Sequence, residues 1–162
     1  MAIIVPIWRS CGGCTACCKT HAVLQILKNA GNWCVHCLVG EGCAIYAKRP
    51  SDCRGFQCSW LAGKGADEDR PDRTRIVLEA RQMGKLGTAL WLWEVEPGAL
   101  VSAFAKRETK QTLRTKTCVM HVPLTGNPRL YLARGVGRPE QSFLISAFDR
   151  KLARVEIVPF GS

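Results

Sequence analysis

Nine of the ten cysteines in this 162-residue chain fall between Cys11 and Cys58, and only Cys118 lies beyond them. That crowding constrains the first third of the molecule more than any other feature. The stretch holds glycines, cysteines and only short apolar runs, so a hydrophobic core built from it alone is thin. Segments of this kind depend on cross-links or on metal ions for their order.

The cysteines run Cys11-x2-Cys14-x2-Cys17-Cys18, then Cys34-x2-Cys37, Cys43, Cys53 and Cys58. Two residues between cysteines let the chain turn so that both sulfurs point at one ion. The pairs Cys11/Cys14 and Cys34/Cys37 are separated by nineteen residues, inside the spacing of a four-cysteine zinc site. Nine sulfurs exceed one tetrahedral shell, while two sites need eight, or seven with a shared thiolate. Two zinc ions are therefore expected. Iron, or an iron–sulfur cluster, is the rival, because Cys11, Cys14 and Cys17 match the first three ligands of a bacterial ferredoxin run. The fourth position of that run is His21, and no Cys-Pro follows. His36 lies inside the Cys34/Cys37 turn, where side chains tend to point away from an ion; it is a weak candidate for an open ligand position.

Disulfides are the competing use of ten cysteines. The apolar segment Met1 to Trp8 is followed, not preceded, by Arg9, which is not the order of a secretory leader. No stretch reaches the ~18 uninterrupted apolar residues of a membrane span. The expectation is a cytoplasmic chain, where thiols stay reduced. A formal net charge of +10 invites a nucleic-acid partner. Nine thiolate charges set against the four positive charges of two divalent ions would lower it to +5. Arg107, Lys110 and Arg114 share a helical face, but no aromatic residue interleaves with them, so nucleic acid is a third and unfavoured reading.

The expected fold class is α+β, with a cysteine-rich metal-binding module over residues 1–61 packed on a small mixed sheet with one or two helices over 74–162. The charged, glycine-rich 62–73 reads as an exposed connection. Strands are expected at Thr74–Ala80, Thr88–Val95, Thr117–Val122, Arg129–Ala133 and Val155–Phe160. The second alternates Leu90 and Leu92 with Trp91 and Trp93 and so reads as a central strand buried on both faces. Helices are expected at Ala99–Arg114, with Leu100, Val101 and Phe104 inward, and at Pro139–Arg154. Cys118 and His121 fall in an expected strand, where Cys118 reads as a small buried hydrophobe. No nucleophile–base triad, carboxylate pair, dinucleotide fingerprint or P-loop stands out, so an enzyme is not the expectation.

Taken together, the order C-x2-C-x2-CC, Trp33-Cys34-Val35-His36-Cys37, Gly42-Cys43-Ala44-Ile45-Tyr46 and Arg49-Pro50-x2-Cys53-Arg54-x-Phe56-x-Cys58-x-Trp60 resembles the YkgJ-type cysteine-cluster family. The likeness covers Cys11 to about Arg73, including Arg70-Pro71-Asp72-Arg73. That bacterial family is described as zinc- or iron-chelating. The resemblance implies chelation by Cys11, Cys14, Cys17, Cys18, Cys37, Cys43, Cys53 and Cys58, with Cys34 an additional member here. Beside it, Arg49 and Arg54 are expected to bring cationic donors near the thiolates, and Tyr46, Phe56 and Trp60 to wall the cluster from water.

Overall fold

The computed structural model describes residues 9–140 and 154–161. Regular structure is scarce where the cysteines crowd. A short helix α1 (Ala16–Thr20) is followed by a minimal hairpin of β1 (Cys37–Leu38) and β2 (Gly42–Cys43), then by α2 (Ser51–Gly55) and α3 (Pro71–Thr74). From Ile76 onward the pattern changes to strands β3 (Ile76–Gln82) and β4 (Thr88–Glu94), helix α4 (Ala103–Arg114), and strands β5 (Val119–Val122), β6 (Arg129–Tyr131) and β7 (Glu156–Val158). These five strands form one mixed sheet in the order β3-β4-β5-β6-β7, antiparallel, parallel, antiparallel and parallel in turn. The class is α+β.

β4 is the centre of the core, flanked by β3 and β5 and buried from Ala89 to Glu94. Its alternation sorts the two faces. Trp91 and Trp93 pack with Val77, Met120, Val122 and Cys118 on one side; Leu90 and Leu92 pack with Ile76, Leu78 and Val119 on the other. Each large side chain so buried is worth ~1.5–3 kcal/mol. The two faces have different covers. The leucine face receives α4, the crossover between parallel β4 and β5, through Ala105, Phe104 and Leu113. The tryptophan face receives the cysteine-rich half, through Ala16 of α1 together with Cys14, Phe56 and Cys58.

Two expected boundaries shift for local reasons. Arg75 adopts a left-handed φ of 60° that ends α3, so the strand starts at Ile76 rather than Thr74. The helix expected over Ala99–Arg114 divides at Ser102, whose extended backbone lets its hydroxyl accept the Ala105 N–H at 3.2 Å as an N-cap. Before it, Ala99–Val101 forms only a 3-10 turn. That break turns Val101 out to 69% exposure, correcting the inward placement, while Leu100 and Phe104 do pack on the core. The helix expected over Pro139–Arg154 lies largely outside the described residues. Among those described, no helix is long and apolar enough to cross a membrane.

His121 of β5 is buried under α4, with Nε2 2.8 Å from Thr109 Oγ1 and its ring 4.6 Å from that of Tyr131. Burial, aided by the Arg129 charge, pushes its pKa down to about 4. The unfolded chain takes up this proton near pH 6.5 and the folded chain does not, so stability is lost as pH falls from 6.5 towards 4. The contribution is ~3 kcal/mol at full extent, at 1.36 kcal/mol per pKa unit. Denaturant titrations between pH 7 and pH 4 are expected to show this loss in the wild type and its absence in His121→Gln. Parallel pH profiles for the two proteins would contradict the assignment.

Candidate metal centre

The C-x2-C spacing folds as the sequence suggests. The Cys14 N–H donates to the Cys11 carbonyl at 2.8 Å, and the Cys37 N–H to the Cys34 carbonyl at 3.0 Å, so each pair closes one tight turn. The Cys34 N–H in turn donates to the Cys18 carbonyl at 3.1 Å, which sets the second turn against α1. Cys37 and Cys43 face each other across the β1–β2 hairpin. That hairpin lies hard against the first loop: a side chain at Gly13 would place its Cβ 2.5 Å from the Gly40 carbonyl oxygen, so only glycine fits there. The Gly40 N–H donates to Thr15 Oγ1 at 3.2 Å. α2 brings Cys53 in. It is held there by Asp52, which accepts from the Leu24 N–H and from Gln25 Nε2 at 3.2 and 3.0 Å.

These turns surround one cavity of about 160 Å³. Eight thiols line it: Cys11, Cys14, Cys17, Cys18, Cys34, Cys37, Cys43 and Cys53. Cys58 does not. It sits at the sheet side, accepting the Leu61 N–H at Sγ (3.4 Å), and interacts electrostatically with Cys11 and Cys14. Cys18 interacts with Cys17, Cys37 and Cys53, and Cys34 and Cys43 act in turn on Cys53. Cys18 also acts on Cys11. All nine are half-buried.

Burial raises the pKa of Cys11, Cys14 and Cys53, and that of Cys37 to about 11. Cys18 is pushed up furthest, first by its hydrogen bond to Cys17, then by burial and by the Cys17 charge. No disulfide is formed. Among the described residues, no three Cys, His, Asp or Glu side chains are gathered tightly enough to hold an ion as they stand. The thiols share a cavity without closing a coordination shell.

The other expected participants are divided. His36, Tyr46, Arg49 and Phe56 line the cavity, whereas Arg54 and Trp60 do not. Arg49 lies 3.6 Å above the Tyr46 ring and lowers the pKa of Cys11 and Cys53 against the stronger effect of burial. Tyr46 is 59% exposed, so it rims the cavity rather than sealing it. Trp60 is buried at a different point, where its ring lies beneath the Arg9 guanidinium and its Nε1–H donates to the Ala66 carbonyl. Of the basic residues on α4, Arg107 is committed to Asp69 at 2.7 Å and to Glu108 at 3.4 Å.

Three residues in or beside the site were not expected from the sequence to take part in it. His21 lines the cavity, yet both ring nitrogens are engaged, Nδ1 by Thr20 Oγ1 at 2.7 Å and Nε2 by Glu79 Oε2 at 3.2 Å. It is therefore not free to replace the missing ferredoxin cysteine. Glu79 also accepts from Trp93 Nε1 at 2.9 Å. Burial works against its charge but is outweighed, chiefly by His21, so its pKa is lowered. Lys28 is only 8% exposed, with Nζ donating to the carbonyls of Lys19 (2.9 Å) and His21. Burial lowers its pKa, and Cys18, Cys34, Cys17 and Cys53 oppose that shift. None of the three belongs to a spacing motif; each is placed by long-range packing.

No family model matches this chain, and no curated protein or solved structure is significantly similar to it.

Cys118 stands apart from the cavity. It is 1% exposed in the tryptophan-face core and accepts the Ala133 N–H at Sγ (3.4 Å). Cys118→Ala is expected to leave the metal-to-protein ratio unchanged while costing about 1 kcal/mol in denaturant unfolding. Loss of metal from that variant would show that the sheet contributes a ligand.

Proposed function

We propose that this chain is a metal-binding cysteine-cluster protein whose thiol cavity takes two zinc ions in a structural or metal-handling role. The observation that carries the reading is the convergence of eight cysteines from four separate segments on one cavity, with the ninth beside it. Disulfide chemistry would have paired them, and core packing would have buried them singly, as it does Cys118. The number of sulfurs supports two ions, since each tetrahedral zinc takes four ligands and nine cysteines lie in or beside the cavity. Binding displaces thiol protons, and the energy returned by zinc–thiolate bonds offsets the cost of ionising crowded groups. The likeness of Cys11–Arg73 to the YkgJ-type chelating family fits the same reading.

An iron–sulfur redox centre is the second reading, favoured by one feature. Ile26, Ile45 and Phe56 give the cavity the apolar lining that shields such clusters. Elemental analysis and absorption spectra of protein purified without oxygen separate the two. The expected result is two zinc ions per chain and a colourless protein. Brown protein with iron and acid-labile sulfide would move the assignment to redox chemistry. Metal-free protein that takes up neither zinc nor iron would overturn the proposal.

A further inference from the structure

We propose that Lys28 is a built-in counter-ion that fits the thiol cavity to a net-anionic metal–thiolate centre, one holding more thiolates than its metal charge neutralises. This rests on the metal-binding reading above and specifies the kind of centre the site accepts.

A lysine ammonium is strongly hydrated and is seldom buried without a partner of opposite charge. Lys28 is buried, and its hydrogen bonds run to two neutral carbonyls, those of Lys19 and His21. Among the described residues no carboxylate forms an ion pair with it. The nearby acid, Asp52, is occupied by the Leu24 N–H and the Gln25 amide. The ammonium is held instead beside the cysteine loops: the two carbonyls it bonds follow Cys18 in the chain, and Cys17, Cys18, Cys34 and Cys53 all act on it electrostatically.

The backbone holds it there deliberately. Lys28 and Val23 form an antiparallel bridge, with the Lys28 N–H donating to the Val23 carbonyl at 3.0 Å and the Val23 N–H to the Lys28 carbonyl at 2.9 Å. Leu27 takes a left-handed φ of 52° to make that tight return. The side chain cannot swing to solvent without breaking the bonds to Lys19 and His21.

Without ionised ligands beside it, the buried cation has no compensating charge. Four thiolates on one divalent ion carry a net −2, and two ions bridged by seven to nine thiolates carry −3 to −5. A fixed cation beside such a centre offsets part of that charge, and Arg49, which lines the cavity, adds to it. A site that used neutral imidazole or water in place of thiolates would leave Lys28 uncompensated. The lysine therefore selects for thiolate-rich coordination.

The test compares Lys28→Met, which keeps the length and removes the charge, with Lys28→Arg, which keeps the charge. Zinc affinity is read by competition with a chromophoric chelator, and stoichiometry by elemental analysis at saturation. Lys28→Met is expected to bind the wild-type number of zinc ions with affinity reduced by at least about tenfold, the scale of outer-sphere effects on metal sites. Lys28→Arg is expected to stay within about threefold of wild type. Wild-type affinity in Lys28→Met, or equal losses in both variants, would overturn the counter-ion role while leaving metal binding intact. A wild-type chain that takes up no metal would retire the metal reading itself, and this inference with it.

Discussion

The carboxylate of Glu79 is where the two halves of the molecule are tied. It stands on the tryptophan face of the sheet, accepts Trp93 Nε1 from its own side, and reaches across to His21 Nε2 at the end of α1. The His21 ring is clasped between Phe56 and Trp93, with centroids 4.1 and 4.6 Å away. A second tie runs parallel to it, from Lys19 Nζ to the Val95 carbonyl at 2.7 Å. Between these two anchors, α1 is fixed on the sheet, and Cys14, Cys17 and Cys18 are fixed with it. The remaining cysteine loops then register on α1, through Cys34 to Cys18 and Gly40 to Thr15. The sheet is the rigid body, and the thiol cavity is assembled on its edge of contact with α1.

That arrangement explains a difference in how the two halves are held. The sheet buries Trp91, Leu92, Ile76, Val77 and Val119 almost completely, and β4 pairs on both edges. Its order comes from apolar burial and continuous backbone pairing. The cysteine half leaves Leu24, Leu27, Val35, Leu38 and Tyr46 more than half exposed. Its order comes from single turns, side-chain-to-backbone bonds and glycine-enabled approaches, each worth about 1 kcal/mol. Such a framework places thiols well but does little to hold them against mutual repulsion once they ionise. Metal ions fit that deficit, because coordination replaces repulsion with bonds shared among several loops.

Legibility in the sequence followed the same division. β4 was readable because period-two alternation is a local signal, and its burial on both faces followed from apolar residues at every position from Ala89 to Trp93. The C-x2-C turns were readable because their geometry closes within four residues. Val101 was misplaced because the Ser102 cap interrupts the helix, and a serine in an otherwise periodic run is a weak mark. Lys28 and Glu79 could not be read at all, and His21 was marked only as the residue standing where a ferredoxin run has its fourth cysteine. A lysine and a glutamate in single copies look like solvated surface, and only the packing of α1 on β3 makes one a buried cation and the other a shared acceptor. Trp60 was assigned to the cluster from its proximity to Cys58 in sequence, but the chain turns between them and buries it against Arg9.

On the proposed reading, metal is the organising interaction of the cysteine half, while the sheet is held independently. Hydrogen exchange followed before and after removal of the metal with a strong chelator tests it most directly. Protection is predicted to fall first and furthest across residues 11–60, with β3, β4 and β5 keeping much of theirs. Unchanged protection across 11–60 after confirmed metal loss, or a uniform loss along the whole chain, would contradict it.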